Sequence, residues 1–417
     1  VKTLSFALRR AVLSFTVFTG LAACGSSSNE APTVKGDGGV TDGPSGEAAA
    51  VVPIDTTPID TTMMSPMTWA WTAVPGAMCR DGSPTGIGLN LNPSSTNLMI
   101  YLEGGGACFN STTCLCAENP SCFNEPGKTG CCSAVGFDTR LGGTEGSQGL
   151  FSRSDAANPM KDWNFVYVPF CTGDIHGGNN PDATVPGLTG KQQFVGFENI
   201  TRDLAKLVPT FKGLTKVVLT GISAGGFGAA VNYPQTAKAF APVPVYDLDD
   251  SGPPMEDPYV PKCLQQKWAT LWGFDKTILA ECGTDCPDPT NYTLDAVIHT
   301  AKAYPNIPFG LVEDTDDSVI TLFYGYGAND CADVLLPTPV TGAMFTAGLL
   351  DERAKVQAAG LTNTAGFIFQ GTTHTSLGST STYDSVMAGG GDSGPSVMLS
   401  DWVTTLVNSG TVTNVGP

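Results

Sequence analysis

Basic residues, histidines and long apolar runs are all scarce in this chain. Lys and Arg number 21 against 39 Asp and Glu, for a formal net charge of −18. A surface of that sign repels polyanions and excludes nucleic acid as a partner. Charged residues make up only 14% of the 417, whereas 41% are hydrophobic, enough for one large core. The apolar run Ala11 to Ala23 is too short to span a membrane. With only His176, His299 and His374, the choice of a general base is narrow.

Glycine and proline, by contrast, are plentiful, at 50 and 30 residues. The N-terminus reads as an export signal, residues 1–23, with Lys2, Arg9 and Arg10 ahead of the apolar run. Leu21-Ala22-Ala23-Cys24 resembles a bacterial lipobox, so Cys24 is expected to carry lipid and Gly25 raises no inner-membrane retention signal. That predicts an outer-membrane or cell-surface lipoprotein, touching the membrane only through its N-terminal lipid. Residues 24–66 then read as a flexible tether, with a near repeat in Pro53–Thr57 and Pro58–Thr62. Residues 67–417 are expected to form one catalytic domain, acting as a monomer.

Thirteen cysteines leave twelve once Cys24 is acylated, an even set that predicts a disulfide framework of up to six bridges. The dense group between Cys108 and Cys132 contains no histidine and no repeated pair at zinc-finger spacing, so no metal site is expected there.

Short apolar runs recur along the chain and stop at turn residues: 98–102, 165–168, 216–220, 243–246, 309–312 and 366–369. Runs of this length fit strands buried on both faces, as in a parallel sheet. Helical spacing lies between them, at Phe197, Ile200, Leu204 and Leu207, in the Ala-rich stretch 224–239 and around Trp402. The pattern predicts an α/β fold of the α/β-hydrolase type: a mostly parallel sheet flanked by helices, with a disulfide-rich insertion.

Gly221-Ile222-Ser223-Ala224-Gly225 fits G-x-S-x-G and stands between a buried strand and a small-residue helix. That context makes Ser223 the expected nucleophile, on an elbow whose glycines permit a sharp turn. Of the three histidines, His374 alone follows the last predicted strand and becomes the expected base. The acid belongs to the turn holding Glu313, Asp314, Asp316 and Asp317, with Asp249 and Asp250, one strand earlier, as the alternative. The Ala224 N–H and the loop Glu103-Gly104-Gly105-Gly106, chiefly Gly105 and Gly106, are expected to bind the oxyanion.

Three segments resemble those of the pectin acetylesterases and the related carboxylesterase Notum. Tyr101–Cys108 looks like their LEGGGWC, Gly221–Gly226 like GxSAGG, and Phe170–Asp174 like YCxGD. Asp316-Asp317-Ser318-Val319-Ile320 resembles the segment holding the family's triad aspartate, which favours Asp317, and His374 sits where its histidine does. The resemblance implies hydrolysis of an O-acyl ester without metal or cofactor. It sets Ala107, in place of the family's aromatic residue, with Asp174 and His176 as the expected substrate contacts. The polar, Cys-rich stretch after Ala107 predicts a shallow, hydrated cleft, hence a short acyl group such as acetate on a carbohydrate or another small ester. The alternatives are a lipase-like or polyester-cleaving enzyme with a wider apolar pocket, and a non-catalytic surface-binding lipoprotein.

Overall fold

Eight strands form the main sheet, numbered β1 to β8 along the chain: Trp69–Met78, Pro84–Asn90, Asn97–Leu102, Asn164–Val168, Lys216–Ile222, Val245–Asp250, Phe309–Asp314 and Thr364–Phe369. They lie in a computed structural model that describes residues 52–114, 141–332, 337–390 and 394–417. The signal segment, Cys24 and most of the Cys-rich insertion fall outside the described residues. Strand order is β1-β2-β4-β3-β5-β6-β7-β8. The β1–β2 and β2–β4 pairs are antiparallel, and the other five are parallel. This is an α/β-hydrolase-like sheet.

All six apolar runs of the sequence lie in or against β3 to β8. Alternation along each strand explains why they read as continuous apolar: Met99, Tyr101, Phe165 and Tyr167 pack on one face, Leu98, Ile100, Val166 and Val168 on the other. The helices used below are α1 (Gly196–Thr210), α2 (Ala224–Phe240), α3 (Lys262–Trp272), α4 (Thr293–Ala303), α5 (Ile320–Gly325), α6 (Gly342–Ala358) and α7 (Leu399–Ser409). The first two cover one face of the sheet and α7 the other. Pro244 falls just before β6, where its carbonyl still accepts the Val217 N–H at 3.0 Å. No helix among the described residues is long and apolar enough to cross a membrane.

The expected tether boundary at residue 66 is too late. Residues 52–417 form one compact unit. Ile59 is buried against the face that holds α1, and its N–H donates to Thr210 Oγ1 at 2.8 Å. Each Pro-Ile-Asp-Thr-Thr repeat closes a local turn: Asp55 Oδ1 accepts the Thr57 N–H, and Asp60 Oδ1 that of Thr62. Asp55 also pairs with Lys206 at 2.8 Å. A composition without a core of its own thus docks on a core built elsewhere.

Four disulfides join described cysteines: Cys79–Cys171, Cys108–Cys114, Cys263–Cys331 and Cys282–Cys286. Cys116, Cys122, Cys131 and Cys132 lie outside the described residues.

Candidate active site

β5 runs into the elbow and α2 leaves it, as the G-x-S-x-G context predicts. Ser223 sits at φ +57°, ψ −123°, a backbone conformation that costs on the order of 1–3 kcal/mol for a residue with a side chain. Neighbouring contacts hold it there. The Ser223 N–H donates to the Asp250 carbonyl at 2.7 Å, and the Ser223 carbonyl accepts the Phe227 N–H at 3.2 Å. Crowding accounts for the glycines: a Cβ at Gly225 would fall 1.9 Å from the Leu102 carbonyl oxygen, and one at Gly221 2.2 Å from that of Gly225. Ala224 is the first residue of α2, so its N–H has no partner within the helix and is available to an oxyanion.

His374 lies on the loop after β8, with its side chain one-fifth exposed. Its Nδ1 is 2.8 Å from Oδ2 of the fully buried Asp317. The other carboxylate oxygen of Asp317 accepts the N–H groups of Val319 and Ile320, both at 2.8 Å. With the ring proton on Nδ1 facing the carboxylate, Nε2 is left as the basic nitrogen. Asp314 makes no ring contact; its Oδ2 accepts the Thr373 N–H at 2.8 Å. His299 lies on α4 and bonds Asp285 Oδ2 through Nδ1 at 2.8 Å, in an exposed setting.

Asp174 and His176, expected to touch substrate, are buried scaffold instead. The Asp174 carboxylate accepts the Thr172 hydroxyl at 2.6 Å and the Gly196 N–H at 2.8 Å. Burial pushes its carboxyl up to about 6 against the pull of those bonds. His176 Nε2–H donates to the Glu103 carbonyl at 2.8 Å, and burial pushes that imidazole down to about 4. His176 therefore braces the glycine loop from behind, and Asp174 ties its own loop to the start of α1. Glu103 completes the brace, its Oε2 accepting the Phe170 N–H at 2.7 Å. A carboxylate wedged between a buried strand and three glycines was the available signal for that role.

The cavity beside Ser223 departs from the shallow, hydrated cleft read from the insertion. It has a volume of about 390 Å³, and Ser223, Ala224, Gly106 and Ala107 line it together. Much of its wall is aromatic: Trp268 and Trp272 from α3, stacked at 6.0 Å, then Phe227, Phe274, Phe323 and Tyr324. The insertion misled because its first described residues turn inward, Phe109 being buried against Trp268 and Trp272.

A profile of the pectinacetylesterases matches residues 59–293 of the chain. The chain belongs to the pectinacetylesterase family. Among its curated relatives, the palmitoleoyl-protein carboxylesterase NOTUM of Mus musculus is 28% identical over 185 residues, 42% of this chain and 33% of that protein. The Schmidtea mediterranea NOTUM is 30% identical over 161 residues, 37% of this chain and 27% of the relative. The match thus spans about a third or less of these relatives' length. A solved structure of the Wnt deacylase Notum from Drosophila superposes with a TM-score of 0.55 at 18% identity, covering 84% of this chain and 96% of that one. That likeness bears on the α/β-hydrolase fold.

Proposed function

We propose that this pectinacetylesterase-family chain is a serine esterase whose acyl group lies in the apolar cavity beside Ser223. Ser223 Oγ attacks the ester carbonyl carbon while its proton passes to His374 Nε2, and Asp317 stabilises the imidazolium so formed. The N–H groups of Ala224 and the Gly105–Gly106 loop receive the negative charge on the carbonyl oxygen. The imidazolium then protonates the departing alkoxide, and water repeats the sequence on the acyl-enzyme to release the acid.

One observation carries the acyl preference: the cavity that opens on Ser223 follows one face of α2, through Phe227, Ala230, Val231 and Pro234, as far as Lys238. From Ala224 to Lys238 the helix rises roughly 21 Å, enough to flank a medium or long acyl chain. Each methylene buried there adds about 0.8 kcal/mol of binding. The relatives named for removing a palmitoleoyl group support the same reading. Acetate on a carbohydrate, as the family's name suggests, is the second reading. The specificity constant for p-nitrophenyl esters, measured below micelle formation, decides between them. It is expected to rise from two carbons through at least eight; a maximum at acetate, falling thereafter, refutes the long-acyl assignment.

Acylation at Cys24 and cell-surface display belong to this proposal. The mass of the N-terminal peptide of the mature protein tests them.

A further inference from the structure

Four amides flanking His374 are fastened by residues at the ends of β6 and β7. Thr373 N–H donates to Asp314 Oδ2, and Thr375 N–H to Ser251 Oγ at 3.2 Å. The N–H groups of Ser376 and Leu377 both donate to Asp250 Oδ2, each at 2.7 Å. Asp250 is also the residue whose carbonyl accepts the nucleophile's own N–H at 2.7 Å. Its second carboxylate oxygen takes the Ser251 hydroxyl at 3.2 Å. One aspartate therefore grips the serine elbow with its backbone and the histidine loop with its side chain.

We propose that Asp250 is a positioning residue that sets the register between Ser223 and His374. The inference rests on the serine-esterase reading above. A carboxylate fits the task because an ionised oxygen accepts two short N–H bonds more strongly than a neutral acceptor. Its burial, at 1% exposure, is costly unless it is bonded in this way. Burial raises its carboxyl to about 6, while the Leu377 and Ser376 amides oppose the rise. The clamp also has strain to restrain: Ser223, Ser251 and Thr375 stand at φ +57°, +62° and +64°. Asp250 differs from the triad acid in what it holds. Asp317 meets the imidazole ring, whereas the bonds of Asp250 go to backbone amides and the Ser251 hydroxyl.

The test compares Asp250→Asn and Asp250→Ala with the parent, in the natural and the His374→Ala backgrounds, using p-nitrophenyl octanoate. With His374 present, Asp250→Ala is expected to lower kcat on the order of 10²-fold, the scale of a 1 Å misplacement, with KM changed by less than about twofold. Asp250→Asn, which keeps one acceptor oxygen, is expected to lose about fivefold or more. In the His374→Ala background both substitutions should change kcat by less than about threefold, because a group acting through the histidine has nothing left to position. Unchanged kcat per folded molecule, or equal losses in the two backgrounds, overturns the proposal. Asp250→Asn is isosteric and carries the test if Asp250→Ala does not fold. A fully active Ser223→Ala would instead remove the esterase reading, a separate failure.

Discussion

Gly104 lies directly against Ser223. A methyl group on the glycine would stand 3.1 Å from the serine Cβ and 2.6 Å from the Ile222 carbonyl oxygen. The second contact is backbone, which cannot rotate away, so Gly104→Ala must displace either the elbow or the oxyanion loop. We expect kcat to fall on the order of 10²-fold and the thermal midpoint to drop. A variant with parental kcat and midpoint would show that the two loops have slack between them.

Ser223 turns toward the cavity at the cost of backbone strain, which suggests an unusual pairing of effects. Ser223→Gly should lose esterase activity on the order of 10³-fold or more and yet become more stable, by about 1 kcal/mol in urea unfolding. Glycine adopts φ +57° without steric cost. An inactive but less stable Ser223→Gly would mean that the elbow is not strained.

The two aspartates at the end of β7 serve different partners. Asp317→Asn should lower kcat on the order of 10⁴-fold by disturbing the tautomer and charge of His374. Asp314→Asn should cost about tenfold or less, since that carboxylate accepts the N–H groups of Thr373 and Asp316 and no ring nitrogen. The reverse ranking would transfer the triad role three residues upstream.

Much of this site was legible in the sequence. Order along the chain singles out Ser223 and His374, because a strand must precede the elbow and the base must follow the last strand. The choice of Asp317 over Asp314 came from resemblance, since four carboxylates in one turn look alike until the ring of His374 selects one. The cavity was not legible. Trp268 and Trp272 stand four residues apart on α3, the spacing of any helix that packs on a core, and no motif marks them. Asp174 and His176 misled for a related reason: polar residues after a strand suit a binding loop or a buried brace, and only burial separates the two. Residues 52–66 looked unstructured because their few apolar anchors, Ile59 and Met64, join a cluster built by β1, β2 and α1 among others.

Ala230 stands part-way along the cavity face of α2. Ala230→Phe should block the deeper half of the space and move the best acyl length down by several carbons, leaving the rate on acetate esters within about twofold. An unaltered chain-length profile would mean that acyl groups do not enter this cavity.

Three buried carboxyls make a pH prediction. Asp247, Asp249 and Glu352 line a separate cavity of about 40 Å³, each with a carboxyl oxygen unbonded among the described residues. Burial pushes Asp247 and Glu352 up to about 8 and Asp249 well above the usual carboxylate range. Folded-state values above those of the unfolded chain mean that the folded protein keeps protons the unfolded chain releases. Their contribution to stability is therefore complete below about pH 4 and is lost as pH climbs toward 8. The exposed Asp55 and Asp288, lowered to about 2, act below that window. Urea midpoints should fall between pH 5 and 8, and less steeply in Asp247→Asn. The buried His176, lowered to about 4, works in the opposite sense below about pH 6.5. Midpoints that rise between pH 7 and 8 would therefore show that these carboxyls are ionised in the folded protein.

The Cys263–Cys331 bridge ties the first turn of α3 to the segment that follows α5. Those two helices supply Trp268, Trp272, Phe323 and Tyr324 to the cavity beside Ser223, the Trp268 and Tyr324 rings lying 6.5 Å apart. The covalent link thus joins two elements of the pocket wall and involves neither Ser223 nor His374. Two kinds of fastening consequently meet at one site: a covalent bond holds part of the wall in place, whereas the serine elbow and the histidine loop are tied to Asp250 by hydrogen bonds.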